Sequence, residues 1–160
     1  MSIEKVKEYF RNTEMEEKIL EFNQSSATVE LAAQALNCEP DRIAKTLSFL
    51  IDNQAIIIVV SGMSKIDNPK YKAKFATKAK MIPFEQVENL TGHAPGGVCP
   101  FALNPSIKVY LDESLKKYDY VYPAAGSSNS AIKMTIPQLE KYSNSIAWID
   151  VTKNMLGEQA

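Results

Sequence analysis

The sequence predicts an α+β fold in which a mixed, mainly antiparallel and barrel-like sheet is surrounded by helices. Residues 43–51 alternate between apolar and polar side chains, which is typical of a half-buried strand. Residues 55–60 form a continuous apolar run rich in Ile and Val, as in a central strand buried on both faces. The other strand-like segments are spaced irregularly, without the strand–helix alternation of a doubly wound sheet.

The elements before the first long strand are predicted at 2–12 (helix), 19–22 (strand), 28–36 (helix) and 40–44 (short helix). Thr28 supplies an N-cap for the second helix, and Pro40 suits the first position of the short one. A turn is then predicted at 52–54 (Asp-Asn-Gln), so the strands at 43–51 and 55–60 are expected to form an antiparallel hairpin.

A lysine-rich helix is predicted to begin at Asn68-Pro69. Lys70, Lys74 and Lys78 recur every four residues, so they would lie on one face of this helix and suit a polyanion. A solvated helix face is the plainer interpretation of the same spacing. The formal net charge of −1 makes no prediction about nucleic acid.

The remaining elements are strands at 107–111, 120–123, 130–134 and 146–149, and helices after Pro83, Asp112 and Thr135. Phe84, Val87 and Leu90 are expected to turn inward from the helix that begins at Pro83 and ends near Gly92. The tail from Lys153 is expected to be frayed.

Composition demands no special stabilisation. The chain has 160 residues, 45% of them hydrophobic and 23% charged, which suits one domain over residues 1–160. Two cysteines and one histidine without ligand spacing predict neither a metal site nor another cofactor. No apolar run suits a membrane span and no leader-like segment is present, so a cytoplasmic location without membrane contact is expected.

Lys45 is the most informative residue because it shares the apolar face of the first long strand. It is in phase with Ile43, Leu47 and Phe49, since alternate residues of a strand point to the same side. A buried ammonium needs a partner or a cavity, so an inward Lys45 would mark the floor of a pocket for a negatively charged or polarised group. The alternative is that the ammonium reaches solvent at the end of the strand.

A long loop rich in glycine and proline, residues 91–101, is the second candidate element. Gly96 and Gly97 permit strained conformations and close approach of a ligand, and Pro100 fixes the far end. Such a loop can aim several N–H groups at one point, as an oxyanion hole requires. A tight connection without a ligand is the alternative.

His93 and Cys99 lie in the same loop, which suggests a Cys–His nucleophilic pair. A buried structural cysteine is the plainer interpretation of Cys99. A second loop of small polar residues, 124–130, follows a strand and is suited to hydrogen-bonding a ribose or a phosphate, or to an ordinary turn.

Three segments in this order resemble the YbaK/EbsC family, the free-standing relatives of the editing domain of bacterial prolyl-tRNA synthetases. They are a helix leading into a lysine–threonine strand at 32–47, Gly-His followed by Gly-Gly-Val-Cys-Pro at 92–100, and Tyr-Pro-Ala-Ala-Gly at 122–126. The resemblance covers about residues 28–142. It implies a mixed α/β domain around a barrel-like sheet.

The resemblance implies an aminoacyl-tRNA deacylase that hydrolyses the ester of mischarged tRNA in trans, of the Cys-tRNA(Pro) or Ala-tRNA(Pro) type. Lys45 matches the lysine that the family requires, and Gly96 and Gly97 belong to its ester-positioning loop. The expected substrate contacts are Thr46, His93, Val98, Cys99, Pro100, Gly126, Ser127 and Ser128. The expected partners are the aminoacylated 3′ end of tRNA and a synthetase, and the resemblance implies that Lys70, Lys74 and Lys78 contact the tRNA backbone.

Departures from the family leave the edited amino acid open. Cys99 stands where several relatives carry Ser or another small residue, and residues 126–129 replace a glycine–arginine pattern. The alternatives are a non-catalytic tRNA- or synthetase-binding module of the same fold, a Cys99-dependent hydrolase of another ester or amide, and a small-molecule sensor.

Overall fold

The computed structural model describes residues 2–154. Within that range the helices are α1 (Ser2–Tyr9), α2 (Val29–Leu36), α3 (Asn68–Phe75), α4 (Val87–Thr91) and α5 (Ile136–Ser143). The strands are β1 (Ile19–Glu21), β2 (Ile43–Ile51), β3 (Gln54–Ser61), β4 (Ser64–Ile66), β5 (Lys108–Asp112), β6 (Tyr120–Pro123), β7 (Ser130–Ile132), β8 (Met134–Thr135), β9 (Ala147–Ile149) and β10 (Thr152–Asn154). None of these helices is long and apolar enough to span a bilayer.

Six strands form one mixed sheet, in the order β8-β6-β2-β3-β5-β9, which curls into a half-barrel. The β2–β3 and β6–β8 pairs are antiparallel, whereas β2–β6, β3–β5 and β5–β9 are parallel. Two further antiparallel pairs join β1 to β7 and β4 to β10. The predicted α+β class with a mixed, barrel-like sheet and surrounding helices is therefore confirmed, although three of the five pairings in this sheet are parallel.

The central hairpin follows directly from the sequence pattern. Asp52 and Asn53 form its two-residue turn with φ of +50° and +65°, which the twist of a tight hairpin requires. Side chains from β3 are buried on both faces of the sheet: Ile57 packs in one apolar cluster and Ile58 in the other. The first cluster is closed by α1 and α5, and the second by α3 through Tyr71.

Helix α1 is shorter than the predicted span of 2–12. It ends at Tyr9, and Asn12 takes a left-handed conformation with φ of +65°, which breaks the helical path. Phe10, just beyond the helix, is fully buried and makes edge-to-face contacts with Phe101 and Tyr142.

The lysine-rich helix α3 is also shorter than predicted. It ends at Phe75, and Ala76 caps it with φ of +62°. Lys78 therefore lies beyond the helix, and the predicted single face of three lysines is wrong. Lys70, within α3, is held by Asp150 at 3.0 Å.

Two further expectations are wrong. Phe84 is 75% exposed, although Val87 is buried, because Pro83 leads the chain away from the sheet and no described element covers Phe84. Lys153 is not frayed, since β10 pairs with β4 and places Lys153 opposite Lys65. The rest of the predicted tail, residues 155–160, lies outside the described residues.

Candidate active site

A cavity of about 310 Å³ opens beside β2. Its walls come from the start of α2 and the residues before it (26–32), β2 (43–48), the glycine loop (95–98) and residues 122–131, together with Val87 of α4. The two segments that the sequence singled out, the lysine strand and the glycine loop, therefore line the same cavity.

The cavity lies at a gap in the edge of β2. On this edge β6 pairs only with Ile43 and Ala44, and the next contact is the N–H of Ile82, which donates to the oxygen of Ser48 at 3.1 Å. Thr46 lies between these contacts, without a described strand partner on that side. Its Oγ1 is buried and has no hydrogen-bond partner among the described residues.

Lys45 also lines this cavity. Its partner across the hairpin is Val60, which belongs to an apolar cluster, and opposed residues in an antiparallel ladder share a face. The half-buried amine makes no hydrogen bond or ion pair with the residues at 2–154. Burial lowers the pKa of Lys45 from its usual 10.5; Glu30 and Asp41 oppose this shift only in part.

The glycine loop presents two free amides near Lys45. Ala94 to Gly97 form a tight turn in which the N–H of Gly97 donates to the oxygen of Ala94 at 3.0 Å. Pro95 and Gly96, the latter with φ of +89°, occupy the two central positions, as a type II turn requires. The N–H groups of Gly96 and Val98 have no hydrogen-bond partner within the described part of the chain.

In the second loop, Ala124 and Ser130 line the cavity, whereas Gly126, Ser127 and Ser128 lie outside its wall and support the glycine turn. A Cβ on Gly97 would lie 2.8 Å from Ser127 Cα and 2.9 Å from the carbonyl carbon of Gly126, so only glycine fits there. The oxygen of Ser128 accepts a hydrogen bond from the N–H of Ser26 at 2.6 Å. The loop therefore ties the turn to the segment that leads into α2.

His93 and Cys99 do touch, but their geometry is that of a core contact. The Cys99 Sγ lies 3.5 Å from Nε2 of His93, and the same Nε2 lies 2.6 Å from the oxygen of Phe101. A carbonyl only accepts, so Nε2 carries a proton and cannot remove one from the thiol. Burial raises the pKa of Cys99 to about 12, and burial lowers the pKa of His93.

Other predicted site residues lie outside the cavity wall. Pro100 is buried and does not line the cavity. Lys70, Lys74 and Lys78 do not line the cavity, and the amine of Lys70 donates to Asp150 and to the oxygen of Thr152.

The cavity wall is poor in groups that exchange protons. Lys45 and Tyr122 are the titratable side chains that line it, and burial raises the pKa of Tyr122. Among residues 2–154 no cluster of three or more His, Cys, Asp or Glu is placed to hold a metal.

Three residues of the wall, Tyr122, Thr28 and Val87, were not predicted from the sequence to line a site. For Thr28 the only signal was its role as an N-cap.

Comparisons with known proteins agree with this geometry. Residues 23–142 match the family model of the aminoacyl-tRNA editing domain. The uncharacterized protein YwhH of Bacillus subtilis (strain 168) is 46% identical over 155 residues, which cover 96% of this chain and 99% of that protein. Proline–tRNA ligase of Staphylococcus aureus (strain Newman) is 31% identical over 86 residues, which are 53% of this chain and 15% of the ligase.

Two solved structures share the whole fold. A crystal structure described as a candidate trans-editing enzyme for prolyl tRNA synthetase has a TM-score of 0.84 at 28% identity, over 96% of this chain and 98% of that one. The structure of a protein described only as hypothetical has a TM-score of 0.81 at 26% identity, over 93% and 99% of the two chains. The family model spans most of the chain and these folds coincide with it, so this chain belongs to the family of aminoacyl-tRNA editing domains.

Proposed function

We propose that this protein is a deacylase that hydrolyses the ester of mischarged tRNA in trans. One observation carries the proposal: Lys45, with an unpaired, half-buried amine, lines the same cavity as Gly96 and Val98, whose amides have no partner among the described residues. A cation beside unused N–H donors suits a carbonyl that gains negative charge during reaction. Family membership supports this chemistry.

The reaction adds water across the ester bond that joins the amino acid to the terminal ribose. As water attacks the carbonyl carbon, the carbonyl oxygen becomes an oxyanion, and the amides of Gly96 and Val98 are the donors that would hold it. One such donor contributes about 3–4 kcal/mol to lowering the barrier. The bond to the ribose oxygen then breaks, that oxygen takes a proton, and the free amino acid leaves.

The part of the wall that residues 2–154 form offers no carboxylate, histidine or cysteine to act as a base or nucleophile. The aminoacyl ester is already activated, so positioning and oxyanion stabilisation are enough if a hydroxyl of the substrate assists the water. In its charged form, Lys45 would hold the terminal phosphate or polarise the reacting carbonyl. The unpaired Oγ1 of Thr46 is a further hydrogen-bonding group for the substrate.

The edited amino acid is proposed to be small. The cavity volume of about 310 Å³ is at the lower end for ligand sites, and it must also take part of a ribose. Val87, Val98 and Ala124 add an apolar lining, and no described carboxylate lines the cavity to pair with a cationic side chain. Alanine and cysteine fit these limits better than large or charged residues.

The direct test is deacylation of a panel of aminoacyl-tRNAs, with alanine, cysteine, serine, proline and a large residue on the same tRNA. The expected result is hydrolysis well above the buffer rate for small residues on tRNA, and little for the large one. Hydrolysis of every ester at the buffer rate would remove the proposal. Binding of tRNA without turnover would instead favour the non-catalytic module.

A further inference from the structure

A short segment beside the cavity runs along the outer edge of β2 and then leaves it. The N–H of Leu50 donates to the oxygen of Lys80 at 2.8 Å, and the N–H of Ile82 donates to the oxygen of Ser48 at 3.1 Å. Pro83 follows, has no N–H to continue the pairing, and begins a 3-10 helix. This departure leaves the edge of β2 open at Thr46, where the cavity lies.

Phe84 lies between two points of the chain that reach the cavity. Two residues before it, Ile82 bonds to Ser48, which lines the cavity, and three residues after it Val87 lines the cavity itself. The side chain of Phe84 is 75% exposed, and that of Met81, on the same segment, is 57% exposed. Single exposed apolar residues are ordinary on protein surfaces, so the position between these two points is what distinguishes Phe84.

Two lysines lie on the same segment as Met81 and Phe84. Lys78 and Lys80 are exposed on the same segment and make no ion pair with a described residue. Aromatic side chains beside free cations are the combination that binds single-stranded nucleic acid, because bases stack on the ring and phosphates meet the cations. The cavity volume of about 310 Å³ suits an aminoacyl group and its ribose, which leaves the attached base outside.

We propose that Phe84 is the stacking platform for the unpaired terminal base of the tRNA 3′ end, with Lys78 and Lys80 facing the preceding phosphates. The identity of this strand rests on the proposed deacylase function. The platform would position the ester, since a stacked base fixes the ribose at the mouth of the cavity. Phe84 acts on the reaction through binding and not on the reacting atoms.

A protein partner fits this surface less well. A stable protein interface buries about 800 Å² on each partner around a central apolar cluster. Here two exposed apolar side chains, Met81 and Phe84, are flanked by unpaired lysines, which suits a polyanion better than an apolar interface.

The test is equilibrium binding of an uncharged RNA hairpin with an unpaired 3′ CCA end. Phe84→Ala is expected to weaken binding about tenfold or more, Phe84→Trp to retain it, and Ile146→Ala, which removes another exposed apolar side chain elsewhere, to leave it unchanged. Lys80→Ala should reduce the dependence of log Kd on log salt by about one unit. Quenching of the new indole in Phe84→Trp would report stacking directly.

Equal affinities of the wild type and Phe84→Ala, or no measurable binding by the wild type, would overturn the platform. Loss of a dimer in Phe84→Ala with unchanged RNA affinity would overturn it in favour of a contact between two copies. Phe84-dependent RNA binding by a protein that hydrolyses no ester would overturn the proposed function and leave the platform standing. Ester hydrolysis with a kcat/KM that Phe84→Ala leaves unchanged would support the proposed function and overturn the platform.

Discussion

Lys45 and Gly96 line the same cavity, the one from the central hairpin and the other from a glycine turn about fifty residues later. The strand fixes the amine on its apolar face, and the turn leaves the amide of Gly96 without a partner in the described chain. A cationic side chain and a backbone donor without a partner therefore belong to residues of one cavity wall.

The rate of catalysed deacylation should begin to fall at a lower pH than the titration of an ordinary lysine would produce. Burial lowers the pKa of Lys45 below its usual 10.5, so the ammonium is lost as the pH rises through that lower value. The rate of deacylation, after subtraction of base hydrolysis, should therefore have a descending limb below pH 10.5. Lys45→Arg should be less active and lack this limb. A rate that keeps rising in both proteins would show that the ammonium is not needed.

Alanine substitutions at the two loop glycines should distinguish the effect of a steric clash, at Gly97, from that of backbone strain, at Gly96. At Gly97 a Cβ would lie 2.8 Å from the backbone of Ser127, so Gly97→Ala must push the two loops apart. At Gly96 a Cβ meets only Ser128 at 3.6 Å and Ala27 at 3.7 Å, and the cost is the strain of φ at +89°. We expect about a 100-fold loss of kcat/KM for Gly97→Ala and a smaller loss for Gly96→Ala. The reverse order would contradict the assignment.

Cys99 should be dispensable for activity. Its thiol is fully buried with a pKa of about 12, and the nearest nitrogen of His93 donates to Phe101. Cys99→Ala should therefore retain kcat within about threefold, while the lost packing costs about 1 kcal/mol of folding free energy. In native protein, a thiol reagent should modify the half-exposed Cys38 and leave Cys99 unreacted. Inactivation on modification of Cys99 would contradict this prediction and support the alternative of a Cys99-dependent hydrolase.

Asp41 should make stability depend on pH in the acid range. It is 1% exposed and accepts hydrogen bonds from Lys117 and Tyr118, each at 2.7 Å, and from the N–H of Met63 at 2.8 Å. Burial raises the pKa of Asp41, but these bonds outweigh it and hold the pKa below its usual 3.8. The carboxylate thus contributes stability above the unfolded-state pKa of about 4, which is lost as the pH falls below it.

Asp41→Asn is expected to lower the free energy of unfolding at pH 7 by about 2–4 kcal/mol, because buried donors lose a charged acceptor. Urea unfolding at pH 7 and at pH 3 measures this, and the difference between the proteins should shrink at pH 3. Asp119→Asn, at an exposed carboxylate, serves as the control and should change stability little. Equal stability of Asp41→Asn and the wild type at pH 7 would contradict this role.

Thr46→Val should lower the activity without lowering the stability of the fold. The Oγ1 of Thr46 is buried without a hydrogen-bond partner, so the nearly isosteric valine removes an unsatisfied group and should not destabilise the fold. If the hydroxyl binds the substrate, kcat/KM should fall about tenfold while the unfolding midpoint stays equal or rises. Unchanged kcat/KM would remove Thr46 from the substrate contacts.

The central hairpin and the helix caps were predictable because they depend on neighbouring residues. Alternation fixes β2 and the phase of Lys45, and turn residues fix its hairpin with β3. Thr28 caps α2 and Thr135 caps α5 as their sequences indicate, and Asn37 closes α2 in the left-handed conformation. Each of these features is settled within a few residues of chain.

Features that depend on distant contacts were not predictable in the same way. Nothing near Gly97 indicates that Ser127 lies against it, nor does the spacing of His93 and Cys99 indicate a buried contact. The tail at Lys153 is ordered because β4 pairs with it. Phe84 carries an apolar side chain at an expected inward position, yet the departure of the chain at Pro83 leaves it exposed.

The most direct test of the central claim is single-turnover deacylation of Ala-tRNA and Cys-tRNA by the wild type, Lys45→Ala and the control Lys153→Ala, which removes an exposed lysine away from the cavity. The account predicts a loss of about 100-fold or more for Lys45→Ala and wild-type rates for the control, with all three proteins equally folded. Wild-type deacylation by Lys45→Ala would contradict it.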